Sequence, residues 1–392
     1  MSSAPDLSCL KDELARLVGF DTQNPPGRER EAAQFVLHVL QQMDCRAELI
    51  DLGDDRTNVV GVIENGPGPT FAFNTHMDVV LAGDGWASDP FTLREEDGRL
   101  HGRGACDAKG PLVAMLEAMR RLIAGRHQWS GTLLGVFVAD EEVGSLGAKT
   151  YVKTAPKIDY CMIGEPTSCT TVTAHKGSMR PLVRVYGKTA HSGMPDLGVN
   201  AILKSARFLD MVVEEHKRVA ATVHPLCGNA SLTLTRAHGG HADNVVPEHC
   251  DFLLDRRMVP GEDEEAVKVA IAELVEAAGL AAGTRAEIID YVPTTGGASE
   301  TDASHPVVRA CQAACLAHNG VVSDISGFQG GCDLVHFRSV GAEGVVLGPG
   351  ELSVAHQPNE YVPVDDLVRA VKIYEDTALT MLGDGRLPKL ET

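Results

Sequence analysis

No stretch of this 392-residue chain approaches the about 18 uninterrupted apolar residues of a membrane span, so a transmembrane helix is excluded. Its first residues, MSSAPDLSCLKDEL, carry Asp6, Asp12 and Glu13 and lack an apolar core of secretory length, which points to the cytoplasm. Basic charge is scarce and scattered. With 35 Lys and Arg against 54 Asp and Glu the formal net charge is −19, and no basic stripe suits a nucleic acid. None of the ten cysteines stands in a CxxC pair, so they read as reduced small apolar side chains. Cys311 and Cys315, one helical turn apart, are the place where a structural metal or disulfide would fit. No fixed-period repeat and no low-complexity segment is present. What remains, 44% hydrophobic and 23% charged residues, is a globular chain of two or three domains' length.

Apolar positions 32, 36, 39 and 43 form one face of a helix over 28–43. Short apolar runs at 58–63, 70–75, 131–139, 159–164 and 344–348 have strand length and are too apolar for a half-exposed sheet. Alternating with helical stretches such as 110–124 and 364–382, they predict a mostly parallel α/β sheet covered by helices. Residues 180–291 follow another pattern: strand 180–187, helix 197–219, strands near 229–236 and 250–258, helix 262–279 and strand 284–291. This βαββαβ order predicts a ferredoxin-like split βαβ sandwich. The expected organisation is therefore a catalytic domain over 1–178 and 294–392, interrupted by an inserted domain at 179–293.

Five acidic or imidazole groups stand in turn-like stretches just beyond apolar runs: His76, Asp107, Glu142, Glu165 and His356. Two histidines and three carboxylates are the inventory that a carboxylate-bridged pair of divalent cations requires, and open α/β sheets hold ligands beyond the carboxyl ends of their strands. Asp78, two residues past His76, shares its face in extended chain and can accept the second ring N–H. In GRGACDAKG (102–110), Asp107 replaces the third glycine of a dinucleotide fingerprint, and no Walker pattern fits. A metal ligand and a helix N-cap both remain open for Asp107. Asp140-Glu141-Glu142 follows a strand; in extended chain one glutamate would ligate while the other faces the bound water as general base. An acidic first helical turn is the alternative.

The chain resembles the M20 family of di-zinc amidohydrolases, the group containing acetylornithine deacetylase and succinyl-diaminopimelate desuccinylase. The likeness runs through FDTQNPPG (20–27), THMDVV, GRGACDAKG, DEEVGS, GEPT, HKGS, HSGMPDLGVNA and LGPGELSVAHQPNEY (347–361). The resemblance implies two divalent ions per chain, zinc or alternatively cobalt, bridged by Asp107. His76 and Glu165 would hold one ion, and Glu142 and His356 the other. It makes Glu141 the general base and acid, and Asp78 the residue that orients His76. It implies a homodimer in which His191 of the inserted lid domain stabilises the oxyanion in a neighbouring subunit's site, with Asn244 and Arg257 on the substrate carboxylate. A surface ion pair is the other reading of Arg257. The implied activity is hydrolysis of N-acyl amino acids, acetylornithine-like substrates being favoured. A dipeptidase or carboxypeptidase, and a non-catalytic metal-binding protein, are the alternatives. The loop GFQGGCDLVHF (327–337) departs from the family pattern, with Cys332 where a hydroxyl residue is common.

Overall fold

The computed structural model describes residues 4–383, which divide into two units. The larger holds residues up to 174, 300–327 and those from 332 onward. At the centre of its sheet Gly131–Val138, Thr70–His76, Tyr160–Ile163 and Glu343–Val346 run parallel, in that order. Their side chains are buried almost throughout, because helices leave neither face of a parallel sheet to water. The expected α/β class holds.

Parallel pairing stops at both flanks. Arg56–Asn65 lies antiparallel to Gly131–Val138, with Arg46–Gly53 antiparallel beyond it. On the other side Val172–His175 meets Glu343–Val346 antiparallel. Arg46–Gly53 had no signal as a buried strand because its residues alternate between exposed and half-buried.

Helix Arg30–Gln42 turns Ala32, Ala33, Val36, Val39 and Leu40 inward, the predicted face. Helices Lys109–Ala124, Pro306–Asn319 and Val364–Leu382 join the sheet in one apolar cluster. Leu367, Val371, Ile373 and Leu382 of the last are fully buried. At roughly 2 kcal/mol apiece, that face contributes on the order of 8 kcal/mol before chain entropy is counted. Tyr374 of the same helix packs on Phe73 and donates its hydroxyl to the Leu347 carbonyl at 2.8 Å, tying the helix to the sheet's centre.

The second unit comprises residues 175–299 and 328–331. Its antiparallel sheet has the order Ser231–Gly239, His249–Met258, Gly177–Tyr186, Ala286–Val292, with helices Ala201–Val219 and Glu264–Ala282. This is the βαββαβ sequence of elements read from periodicity. Strict alternation along His249–Met258 sends Cys250, Phe252, Leu254 and Met258 into a core shared with Phe208 and Ile271. Asn200 and Asp263 cap the two helices through the N–H groups of Leu203 and Ala266, which explains where both begin.

None of the ten cysteines forms a disulfide. Cys311 and Cys315 face the Thr171 hydroxyl at 3.3 and 3.5 Å, within the apolar cluster. Among the described residues no helix is long and apolar enough to cross a membrane.

Candidate metal centre

The parallel strands deliver their carboxyl ends to one edge of the sheet. His76 ends Thr70–His76, Asp140–Glu142 follow Gly131–Val138, Glu165 lies two residues past Tyr160–Ile163, and His356 is in the loop after Glu343–Val346. Asp107 arrives from a tight loop in which Gly104 has φ +82°, and a Cβ there would come within 2.6 Å of Val79. The following helix starts at Lys109 with no side-chain cap, so Asp107 does not serve it as N-cap. Its carboxylate instead reaches two histidines.

Asp107 Oδ1 lies 3.2 Å from His76 Nε2, and its Oδ2 lies 3.2 Å from His356 Nε2. Each oxygen thus serves one side of the cluster. Glu142 Oε2 is 3.1 Å from His356 Nε2, and Glu165 Oε1 is 3.9 Å from His76 Nε2. Ligand atoms of His76, Asp107 and Glu142 all lie within 4.8 Å of one another, and so do those of His76, Glu141 and Glu165.

Glu141 and Glu142 separate by a different device from the one expected. Asp140 is left-handed (φ +67°) and the chain turns after it, with no helix before Leu146–Tyr151, so neither extended alternation nor an acidic helix start applies. Asp78 holds that turn. Its Oδ1 accepts the Glu141 N–H at 3.0 Å and its Oδ2 accepts the Glu142 N–H at 3.1 Å. The His76 Nδ1 contact is closer to the Asp78 backbone carbonyl, at 2.9 Å, than to its carboxylate, at 3.5 Å.

Four carboxylates and two imidazoles packed together set one another's charge. Burial, then the neighbouring Glu165, pushes the Glu141 carboxyl well up, against the pull of His76. Glu165 is raised well up by burial and by Asp107, and Glu142 is raised by the same two causes. Asp107 goes the other way: burial opposes its charge, but hydrogen bonds from His356 and His76 hold it below the carboxylate range. Burial likewise works against a charged His76, yet Asp107 and Asp78 raise its pKa well above the ordinary value. Hydrogen bonds to Asp107 and Glu142 push His356 up to about 11.

Glu141 Oε1 and Glu142 Oε1 are buried with no hydrogen-bond partner. Buried carboxylate oxygens without donors, crowded by like charge and flanked by imidazole nitrogens, fit divalent cations of the zinc type.

Further buried groups, absent from the sequence reading, hold the candidate ligands. Glu360, four residues past His356, accepts the N–H groups of Cys106 and Asp107 with Oε1, at 2.9 and 3.0 Å, and pairs through Oε2 with buried Arg103. Asn24 donates to Asp78 at 2.8 Å and to Asp140 at 3.0 Å. A lone charge embedded in a glycine-rich run, as in GRGAC, was the available signal for Arg103. Cys332 is fully buried; burial, then Glu165, keeps its thiol well above the ordinary pKa and so neutral.

The remaining predicted residues belong to the second unit. His191 is exposed and bridges to Val245, while the Asn244 carbonyl accepts the Ser192 N–H at 2.9 Å, so His191 and Asn244 are neighbours. Arg257 is placed elsewhere. It pairs in register with Ser178 at the start of strand Gly177–Tyr186, whereas His191 follows that strand's end. Its guanidinium lies 2.7 Å from Asp255, the ion pair that was the alternative reading.

Residues 72–380 match the family model described as Peptidase family M20/M25/M40. The chain is 34% identical over 375 residues to an acetylornithine deacetylase of Myxococcus xanthus, covering 93% of this chain and 95% of the relative. It is 31% identical over 395 residues to a probable succinyl-diaminopimelate desuccinylase of Staphylococcus epidermidis, covering 93% and 95%. Its fold superposes on an M20 family metallo-carboxypeptidase from Sulfolobus solfataricus with a TM-score of 0.79 and 19% identity, covering 94% of this chain and 98% of the other.

Proposed function

The chain belongs to peptidase family M20/M25/M40, and from that premise we propose that it hydrolyses the amide bond of N-acyl amino acids, acetylornithine-like substrates being favoured. The observation that carries this reading is Asp107, with one carboxylate oxygen directed at each of two histidines. His76 and Glu165 would hold one ion and His356 and Glu142 the other, with Asp107 between them; zinc suits this mixed imidazole and carboxylate set. When bound, the ions supply Lewis acidity and a nucleophilic water at neutral pH.

Glu141 takes the proton of the attacking water and returns it to the leaving amine. A carboxylate whose affinity for protons is raised by burial is suited to both transfers. Asp78 fixes its main chain. Residues 179–293 act as the lid and dimerisation domain, and His191 of the partner subunit offsets the oxyanion charge. One feature supports a contribution from a partner. Arg257 and the His191–Asn244 pair lie at opposite ends of one strand and so do not converge on one carboxylate and oxyanion within a chain. Ten cysteines outside any disulfide suit the cytoplasm.

The test is metal content together with turnover on N-acetyl and N-succinyl amino acids and on dipeptides. Two ions per chain with turnover of acyl amino acids supports the proposal. Cleavage of dipeptides alone would make the chain a peptidase, and bound metal without any turnover would make it a binding protein.

A further inference from the structure

Arg56 opens strand Arg56–Asn65, on the antiparallel flank of the large sheet, and touches none of the proposed metal ligands. Its side chain is only 13% exposed, and its contacts with Glu29, Asn24 and Asp140 lead toward the turn that carries Glu141 and Glu142. Nη1 lies 3.1 Å from Glu29 Oε1 and 2.9 Å from Asp140 Oδ1. Nη2 donates to Asn24 Oδ1 at 2.7 Å and to the Pro26 carbonyl at 2.8 Å. Asn24, with its acceptor thus fixed, can present its amide in only one sense. It donates to Asp78 Oδ2 and Asp140 Oδ1, and Asp78 accepts the main-chain N–H groups of Glu141 and Glu142.

We propose that Arg56 and Asn24 are positioning residues for the Asp140–Glu142 turn, acting through Asp78. The role rests on the metal-centre reading above. A second feature points the same way: Gly27, with φ +81°, lies so close that a Cβ on it would stand 2.5 Å from Arg56 Cζ. The NPPG segment therefore does two things at once. It supplies Asn24, and it leaves open the space that the guanidinium fills.

Geometry also specifies arginine. Two nitrogens of one planar fork reach four acceptors on two chain segments, which a single ammonium cannot do. The segments joined, around 24–29, 56 and 140, are far apart in sequence, and without this cation the buried carboxylates of Glu29, Asp78 and Asp140 would face one another. Groups that orient metal ligands from behind characteristically change metal affinity or activity by about 10–100-fold when removed.

The test is cobalt(II) titration of the full-length protein by visible absorption and chelator competition, which needs no substrate. Wild type is expected to bind two ions. Asn24→Ala and Gly27→Ala should bind one of them about 10–100-fold more weakly with an altered absorption band, and Arg56→Lys should fail to restore wild-type binding despite keeping the charge. Arg46→Met, which breaks an exposed ion pair with Glu64, is the control and should change nothing. Thermal unfolding of the chelator-treated variants identifies any that are simply unfolded; Asn24→Ala and Gly27→Ala are the variants that decide if Arg56→Lys does not fold. Folded Asn24→Ala and Gly27→Ala with wild-type cobalt affinity and spectrum would overturn the positioning role. Wild type that takes up no cobalt would overturn the metal reading, and this role with it.

Discussion

Glu141→Gln distinguishes two uses of one carboxylate. Glu141 shares a ligand-sized space with His76 and Glu165, so it has the position of a ligand as well as that of a base. If it is the base, the substitution removes proton transfer and leaves both ions bound. Turnover should fall by at least about 10²-fold, or about 2.7 kcal/mol of barrier, with KM little changed. The metal-free protein should respond in the opposite direction. Glu141 is buried beside Glu165, and its Oε1 has no hydrogen-bond donor, so the folded state is penalised when the group ionises. Because its pKa is raised in the folded state, the penalty is absent below the ordinary value of 4.5 and develops as pH rises above it. Glutamine removes the charge but not the need for a partner, so the variant should gain on the order of 1 kcal/mol at neutral pH and nothing at pH 4. Metal analysis, steady-state kinetics and urea unfolding in chelator measure the three quantities. Loss of one ion from the variant, or turnover within a fewfold of wild type, would refute the assignment of Glu141 as base.

Asp107→Ala removes the carboxylate shared by both histidines, so at least one ion should bind much more weakly; two ions held at wild-type affinity would exclude a bridge. Glu360→Ala strips the acceptor from two buried N–H groups, at about 1–3 kcal/mol each, and leaves Arg103 buried without its carboxylate, at about 3–5 kcal/mol. Urea unfolding should show a loss above about 4 kcal/mol, partly recovered by pairing Glu360→Ala with Arg103→Met. In the metal-free protein His356 titrates near 11, so its pairing with Asp107 and Glu142 stabilises fully below its ordinary pKa of 6.5 and is lost as pH rises toward 11. Metal uptake near neutrality must displace that proton, so affinity should climb with pH, and calorimetry in buffers of different ionisation enthalpy should register proton release.

Local pattern made much of this protein legible before any coordinates. Apolar runs of strand length located the parallel strands, and the heptad-like spacing of Ala32, Val36 and Val39 located a helix, because both signals reside in a few consecutive residues. The polar edge strand Arg46–Gly53 escaped because a half-exposed strand buries too little to leave an apolar run. His76, Asp107, Glu142, Glu165 and His356 were recognisable as a set because each stands where a strand or tight loop ends, a position the chain marks with glycine and acidic residues. The sequence by itself thus determined the element order of the second unit, the fold class and the set of candidate ligands. Tertiary structure alone decided which oxygen faces which histidine, that Asp140 turns left-handed, and that Asp107 caps no helix. It also decided the supporting groups: Asn24 meets Asp140 across 116 positions, and Glu360 meets the Asp107 N–H across 253. Hydrogen bonds over such separations leave no periodicity in the chain. They exist only once burial has removed water from both partners and left each to satisfy the other.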